Sequence, residues 1–149
     1  MKLNAKLEEQ IRQVMEERVA FNRLLGLKID SFDPERPRLR IDMRPEFLGN
    51  PTRAILHGGV IASILDVAAG LSILMRLLKE NPPEPGSLGF PNIGTVDIRV
   101  DYLRPGRGKH FVASGHVVRL GKRIAVTHME LVNDSGEQIA TGSAAYVVG

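Results

Sequence analysis

The segment LHGGVIASILDVAAG, residues 56–70, places a single ionisable side chain inside an apolar run. Across residues 58–75 the only charged residue is Asp66. Carboxylates are rarely buried unless they are paired or perform a task. Apolar residues recur at three- and four-residue steps, so we predict a long central helix over residues 58–79 that carries Asp66.

The same segment is long and apolar enough to be weighed as a membrane span. Placing Asp66 within a bilayer would cost about 3 kcal/mol, and strand-like patterns flank the segment on both sides. A helix buried beneath a sheet is therefore the favoured interpretation.

Alternating apolar and polar residues predict six strands around this helix. Two precede it and four follow it, at residues 27–32, 38–44, 93–103, 110–120, 123–132 and 138–148. An amphipathic helix within residues 1–25, ended by Gly26, comes first, and residues 45–55 are predicted to form a loop. We expect one α+β domain over residues 1–149, in which a curved antiparallel sheet of about six strands wraps the central helix.

The composition restricts the chemistry that the chain can perform. Hydrophobic residues make up 43% and charged residues 25% of the sequence, values typical of globular proteins. The absence of cysteine excludes disulfides, thiolate metal ligands and a cysteine nucleophile. A net charge of +3 is too small an excess to indicate a nucleic-acid partner. The first residues are charged and lack the apolar core of a secretory signal, so we expect a cytoplasmic protein.

Several enzyme classes are excluded by their motifs. The sequence holds no phosphate-binding G-x-x-x-x-G-K-[ST] or G-x-G-x-x-G loop and no G-x-S-x-G nucleophile turn. Its four histidines, His57, His110, His116 and His128, lack the spacing of zinc ligands. We therefore expect neither a metal nor a redox cofactor.

The remaining chemistry lies at the start of the predicted helix, where the H-G-G sequence at residues 57–59 precedes Asp66 by about two turns. The N–H groups at a helix start are unpaired and carry partial positive charge, which suits a polarised carbonyl oxygen. Gly59, Ser63, Asp66 and Gly70 share one helix face of small or polar groups. Such a face leaves room for a ligand or a second subunit.

Two purely structural interpretations stay open at this point. Asp66 can be a buried carboxylate tied to backbone N–H groups or to an arginine, which would serve the specificity of the fold. His57, directly before a helix, can be a capping or packing residue that takes no part in proton transfer.

The sequence resembles the hotdog-fold acyl-CoA thioesterases, in particular the phenylacetate-pathway-type branch. Members of that branch carry H-G-G at the start of the central helix and an acidic residue nine positions after the histidine, the spacing from His57 to Asp66. The strand and turn GTVDIRVDYLRP, residues 94–105, also resemble the family. The similarity covers roughly residues 20–148 and implies hydrolysis of an acyl-CoA thioester.

The resemblance also implies catalytic roles for individual residues. The N–H of Gly58 would polarise the thioester carbonyl, and Asp66 would act as general base or as nucleophile. His57 and Thr95 would position these groups, with the Thr95 hydroxyl helping to hold the water. Some members carry Asn or Gln six residues before the histidine, where this chain has Pro51; Asn50, one residue earlier, is the candidate that a one-residue loop shift would bring to that place.

In the family the site lies between two protomers, so a homodimer, or a homotetramer built as a dimer of dimers, is implied. The remaining candidates for substrate binding are two small residues of the helix face and four basic residues that would hold the CoA phosphates: Gly59, Ser63, Arg53, Arg104, Lys122 and Arg123. The alternative interpretation is that the four basic residues are ordinary solvent-exposed charges at the edge of the site, without a ligand. The length of acyl chain accepted would depend on packing among Leu71, Leu74, Met75 and residues of the partner.

Two other functions are compatible with the same fold. A hotdog-fold hydratase or dehydratase acts on acyl thioesters but pairs a catalytic histidine with an acidic residue in another arrangement. A non-catalytic acyl-CoA-binding hotdog domain would need no carboxylate, and the presence of Asp66 speaks against it.

Overall fold

The computed structural model describes residues 2–87 and 89–149. Its helices and strands follow one another in the order α1 (Ala5–Arg12), a π-helical stretch (Gln13–Arg18), α2 (Ala20–Leu25), β1 (Lys28–Ser31), β2 (Arg38–Asp42), a 3₁₀ turn (Pro45–Phe47), β3 (Leu48–Asn50), β4 (Arg53–Leu56), α3 (Gly58–Glu80), β5 (Ile93–Tyr102), β6 (His110–Leu120), β7 (Ile124–Asn133) and β8 (Gln138–Val148).

Six of the eight strands form one antiparallel sheet in the order β1-β2-β6-β7-β8-β5. Helix α3 lies across one face of this sheet and buries Ile64, Leu65 and Leu71 completely. Inward-facing residues of the strands, such as Phe111 and Leu131, complete the core at 0% exposure. The predicted α+β class, with a long central helix against a six-stranded antiparallel sheet, is confirmed.

By length and composition alone, helix α3 is apolar enough to cross a membrane. However, more than half of its most apolar stretch is buried inside the fold. Sheet packing, and not lipid, thus accounts for the apolar character of α3.

The N-terminal helical region is divided, whereas the sequence pattern predicts one continuous helix. The N–H of Val19 donates to the Val14 carbonyl at 2.9 Å, a π-type bond, and Val19 itself is extended. This leaves the Met15 carbonyl without its helical donor, and the buried side chain of Asn22 donates to it at 2.9 Å. Gly26, with a φ of 67°, ends α2 as predicted.

Residues 45–55 are more ordered than the predicted loop. They contain the 3₁₀ turn and most of a two-stranded ribbon, β3–β4, whose short strands lack the periodicity that would reveal them. The N–H of His57 donates to the Phe47 carbonyl at 2.7 Å, and the N–H of Leu56 donates to the Gly106 carbonyl at 2.8 Å. The ribbon therefore fixes the chain where α3 begins.

Helix α3 approaches the sheet closely at Gly115 of β6. A Cβ atom at this position would lie 2.7 Å from the Ala68 carbonyl oxygen. Only glycine lets the helix backbone lie this close to the strand.

We expect Gly115→Ala to lower the free energy of unfolding by about 1–3 kcal/mol, the usual effect of overpacking. Urea denaturation followed by circular dichroism measures this change. Gly94→Ala is the matched control, because a Cβ at this strand glycine meets no described atom within 4 Å. If Gly115→Ala and the unmodified protein unfold at the same urea concentration, the close helix–strand contact is contradicted.

Candidate active site

Asp66 is held by two hydroxyl donors from neighbouring strands. The Thr95 hydroxyl donates to Asp66 Oδ1 at 2.9 Å, and the Tyr146 hydroxyl lies 2.5 Å from the same oxygen. Thr95 of β5 and Tyr146 of β8 are opposite each other in the sheet register. One cross-strand pair therefore supplies both donors, and in the described residues no donor contacts Oδ2.

Tyr146 is a site residue that the sequence analysis missed. Its side chain is 2% exposed, and burial together with the hydrogen bond to Asp66 raises the pKa of the phenol far above its ordinary value. The hydroxyl therefore stays protonated and remains a donor. The sequence did contain a signal for this role. Tyr146 is one of only two tyrosines, and it places a phenol at an inward-facing strand position among small and aliphatic residues.

His57 caps the first turn of α3. Its Nδ1 accepts from the Gly59 N–H at 2.8 Å, so the ring proton of the neutral form lies on Nε2. Its carbonyl accepts from the N–H groups of Val60 and Ile61 at 3.0 and 3.2 Å. The capping role weighed from the sequence is the one that this geometry supports.

The N–H of Gly58 is the free donor at this helix start. No acceptor for it lies among residues 2–87 and 89–149. On the other side, the Tyr102 hydroxyl donates to the Gly58 carbonyl at 2.9 Å, and a Cβ at Gly58 would lie 3.2 Å from the Tyr102 ring. Gly58 therefore offers a donor with partial positive charge in a position where glycine fits most easily.

The Gly58 donor and the Asp66 carboxylate do not converge within one chain. They are eight residues apart on one helix, which corresponds to about 12 Å along its axis. The N–H groups of a first turn also point away from the body of the helix. A single carbonyl group cannot be close to both groups of the same protomer.

A cleft of about 420 Å³ runs between α2 and the first turns of α3. The Ser63 hydroxyl donates to the Gly59 carbonyl at 2.7 Å, so these two predicted substrate-binding residues form part of one wall. The residues that line the cleft are Phe21, Leu24, Leu25, Arg44, Glu46, Phe47, His57, Gly59, Val60 and Ser63.

Asn50 and Arg53 lie at the turn of the β3–β4 ribbon. The Asn50 Oδ1 accepts from the Thr52 N–H at 3.0 Å and from the Thr52 hydroxyl at 2.8 Å. This carbonyl is thereby engaged in the turn, and a role for Asn50 at the reacting group stays a prediction. Arg53 is exposed at the start of β4.

The predicted basic residues are separated within one protomer. Arg104 follows β5 and donates to the Gln138 carbonyl at 2.8 Å, close to where β8 begins. Lys122 and Arg123 precede β7, and the Arg123 carbonyl accepts from the Val148 N–H at the far end of β8. At about 3.3 Å per residue, the two groups lie more than 20 Å apart along the sheet.

Two of the remaining histidines lie on the outer face of the sheet. His116 and His128 are cross-strand partners with ring centroids 5.6 Å apart, beside a cavity of about 350 Å³. Burial, Arg36 and His128 lower the pKa of His116. Within residues 2–87 and 89–149, no three His, Asp or Glu side chains are grouped as metal ligands.

Comparison with known proteins gives a consistent result. The family described as the thioesterase superfamily matches residues 54–140, more than half of the chain. The medium/long-chain acyl-CoA thioesterase YigI of Escherichia coli K12 is 42% identical over 132 residues, which cover 87% of this chain and 85% of the relative.

Solved structures also resemble this chain. A protein of Shewanella oneidensis related to the thioesterase superfamily is 41% identical, with a TM-score of 0.89 over 97% of each chain. The PaaI protein of the Escherichia coli phenylacetic acid degradation operon has a TM-score of 0.76 and 22% identity, covering 95% of this chain and 92% of its own. At that identity, the likeness to PaaI shows the shared fold alone.

A double-mutant cycle tests the contact between Tyr146 and Asp66. We expect Tyr146→Phe to cost about 1.5–3 kcal/mol of stability, because it removes a donor to a carboxylate. In the double variant Tyr146→Phe/Asp66→Ala, the loss of stability should differ from the sum of the two single-variant losses by at least about 1 kcal/mol.

Tyr102→Phe is the matched control, since the Tyr102 hydroxyl contacts Gly58 and not Asp66. In the double variant Tyr102→Phe/Asp66→Ala, the loss of stability should equal the sum of the two single-variant losses within about 0.5 kcal/mol. Chemical denaturation measures all five variants, and additivity in the Tyr146 cycle would contradict the contact.

Proposed function

The chain belongs to the thioesterase superfamily as a hotdog-fold acyl-CoA thioesterase, and from this we propose that Asp66 is the general base of a site shared by two protomers. The observation that carries the proposal is the pair of hydrogen bonds from the Thr95 and Tyr146 hydroxyls to Asp66 Oδ1. These bonds fix the orientation of the carboxylate and leave Oδ2 available for proton transfer.

The arrangement around Asp66 favours water as its immediate partner. Thr95 uses its proton on Asp66 Oδ1, so the lone pairs of its hydroxyl stay available as acceptors. A water molecule has two protons to donate, one to Thr95 and one to Asp66 Oδ2. Transfer of the latter proton to Asp66 leaves hydroxide to attack the thioester carbon. When the C–S bond breaks, the proton held by Asp66 passes to the departing CoA sulfur, which restores the carboxylate.

The N–H of Gly58 suits the oxygen side of the same reaction. A helix start whose donor is unoccupied stabilises the negative charge that develops on the carbonyl oxygen during attack. His57 keeps Gly59 occupied, so the geometry directs the acceptor to Gly58. The Nδ1 of His57 is already occupied by the Gly59 N–H, which argues against His57 as the catalytic base of a hydratase.

Two observations support a homodimer. With about 12 Å between them along the helix, Gly58 and Asp66 can act on one thioester only if the donor of one protomer serves the carboxylate of another. Strand β5 lies at the end of the sheet, and its Val96 and Tyr102 are each 55% exposed. An exposed edge strand of ten residues, with apolar and polar side chains in alternation, is suited to pairing with a second copy.

Antiparallel pairing of two β5 edges would explain the basic residues as well. A two-fold axis brings the Thr95 end of one β5 beside the Tyr102 end of the other. Lys122 and Arg123 of one protomer would then approach Arg53 and Arg104 of the partner. We propose that this combined basic surface binds the CoA phosphates, and that a dimer of dimers is built from the same unit.

The nature of the acyl group is proposed from the relatives. YigI is named for medium- and long-chain acyl-CoA, and we propose the same substrate class for this chain. We also propose a cytoplasmic location, consistent with the burial of α3 inside the sheet.

We expect Asp66→Asn to reduce kcat by at least about a hundredfold, the scale of general-base catalysis. Release of the CoA thiol from a series of acyl-CoAs measures the rate, and a chain without cysteine contributes no thiol of its own. Asp30→Asn is the control, because Asp30 is paired with Arg38 and lies on β1, at the opposite edge of the sheet from β5. A kcat of Asp66→Asn equal to that of the control would overturn the assignment, and thioester binding without turnover in the unmodified protein would favour the non-catalytic alternative.

Gly58→Pro removes the proposed oxyanion donor, and the Cβ that it adds beside the Tyr102 ring is matched by Gly58→Ala. Proline is well tolerated at the first helical position, and His57 already has the extended conformation that precedes a proline. We expect a loss of about 10²–10³ in kcat. Gly58→Ala adds a Cβ but keeps the N–H, so it should retain most of the activity that Gly58→Pro loses.

Mixing the two inactive variants tests the shared site. In a mixed dimer, Gly58 of the Asp66→Asn chain meets Asp66 of the Gly58→Pro chain, which rebuilds one intact site. Random reassortment should restore roughly a quarter of the normal activity, from half of the dimers with half of their sites intact. A mixture no more active than its components would show that each site uses residues of one protomer.

A further inference from the structure

Helix α2 turns an unusual face to solvent. It buries Asn22 and Leu25, while Phe21 is 53% and Leu24 is 65% exposed. Phe21 and Leu24 are three residues apart and therefore lie on one side of the helix. Surface helices normally bury their large apolar residues and expose their polar ones, so this apolar side is left open.

The open side of α2 lines the cleft beside α3. Phe21 and Leu24 form one wall, and Phe47 and Val60 add further apolar surface. The volume of about 420 Å³ is within the range of small-molecule sites, roughly 300–1,000 Å³.

Arg44 holds this wall in place. Its Nη2 donates to the Leu24 carbonyl at the end of α2, and its guanidinium stacks on the Phe47 ring with the carbon atom 4.2 Å from the ring centroid. The cleft is therefore formed before any ligand enters, which lowers the entropic cost of binding.

The cleft is continuous with the start of α3. His57 and Gly59 line it on either side of Gly58, the residue whose N–H would receive the thioester oxygen. The acyl chain is bonded directly to that carbonyl, whereas the CoA portion is polar and charged. Leu71, Leu74 and Met75, which the sequence suggested as determinants of acyl length, are buried at 0%, 2% and 0% in the core.

We propose that the acyl chain of the substrate lies in the cleft between α2 and α3, and that Phe21 and Leu24 determine the preference for chain length. The proposal rests on the thioesterase function proposed above. It assigns to the N-terminal helical region a role in specificity, separate from the residues that act on the thioester.

The test compares chain-length profiles in the full-length protein. Values of kcat/KM are measured for butanoyl-, octanoyl- and dodecanoyl-CoA, where each methylene that becomes buried should contribute about fourfold. In Phe21→Ala/Leu24→Ala we expect dodecanoyl-CoA to lose roughly tenfold, mainly through KM, the equivalent of one to two methylenes. Butanoyl-CoA, whose acyl chain is eight carbon atoms shorter, should change less than twofold.

Leu24→Gln serves as a second variant, because it keeps the size of the side chain while making it polar. Val118→Ala is the matched control, since Val118 is 52% exposed on β6 and does not line the cleft. It should leave the whole profile unchanged.

The outcomes separate this proposal from the function on which it rests. Hydrolysis of no acyl-CoA by the unmodified protein would overturn the function itself. An active protein whose length profile is the same with and without the α2 substitutions would overturn the acyl assignment alone. An equal loss for every chain length, with a shift to monomer in size-exclusion chromatography, would show that a second copy and not the acyl chain covers Phe21 and Leu24.

Discussion

The structure depends on how a carboxylate is accommodated in the middle of its central helix. Asp66 is half-buried between α3 and the sheet, where a charge without donors would be costly. Thr95 and Tyr146, which are partners on the paired strands β5 and β8, both direct a hydroxyl to Asp66 Oδ1 and so meet this requirement. The register of β5 against β8 and the placement of Asp66 on α3 are thus one constraint, since a slip of β5 by one residue would turn the Thr95 hydroxyl to the other face of the sheet.

The sequence predicts those parts of the fold that have a period. The apolar steps of α3 and the alternation in the long strands repeat locally, so helix and sheet can be predicted without knowledge of their partners. The β3–β4 ribbon and the break at Val19 have no such repeat. The ribbon depends on contacts with Gly106 and His57, and the break depends on the side chain of Asn22.

The candidate site divides in the same way. Asp66, Gly58 and His57 belong to one contiguous motif, and the structure gives them the cap and the free donor expected of a helix start. Tyr146 lies 80 residues from Asp66 along the chain, and only the strand register brings the two together. The basic residues also depend on register, because a sequence alone does not show which ends of two strands are adjacent.

The order of strands in the sheet has a consequence for how the molecule folds. β6, β7 and β8 are joined by short hairpins, so they close small loops and lose little chain entropy on pairing. β5 pairs with β8 across the whole of that meander, a contact of long range in sequence. We expect the meander to nucleate first and β5 to dock late, which makes the assembly of Thr95 against Asp66 one of the last events of folding.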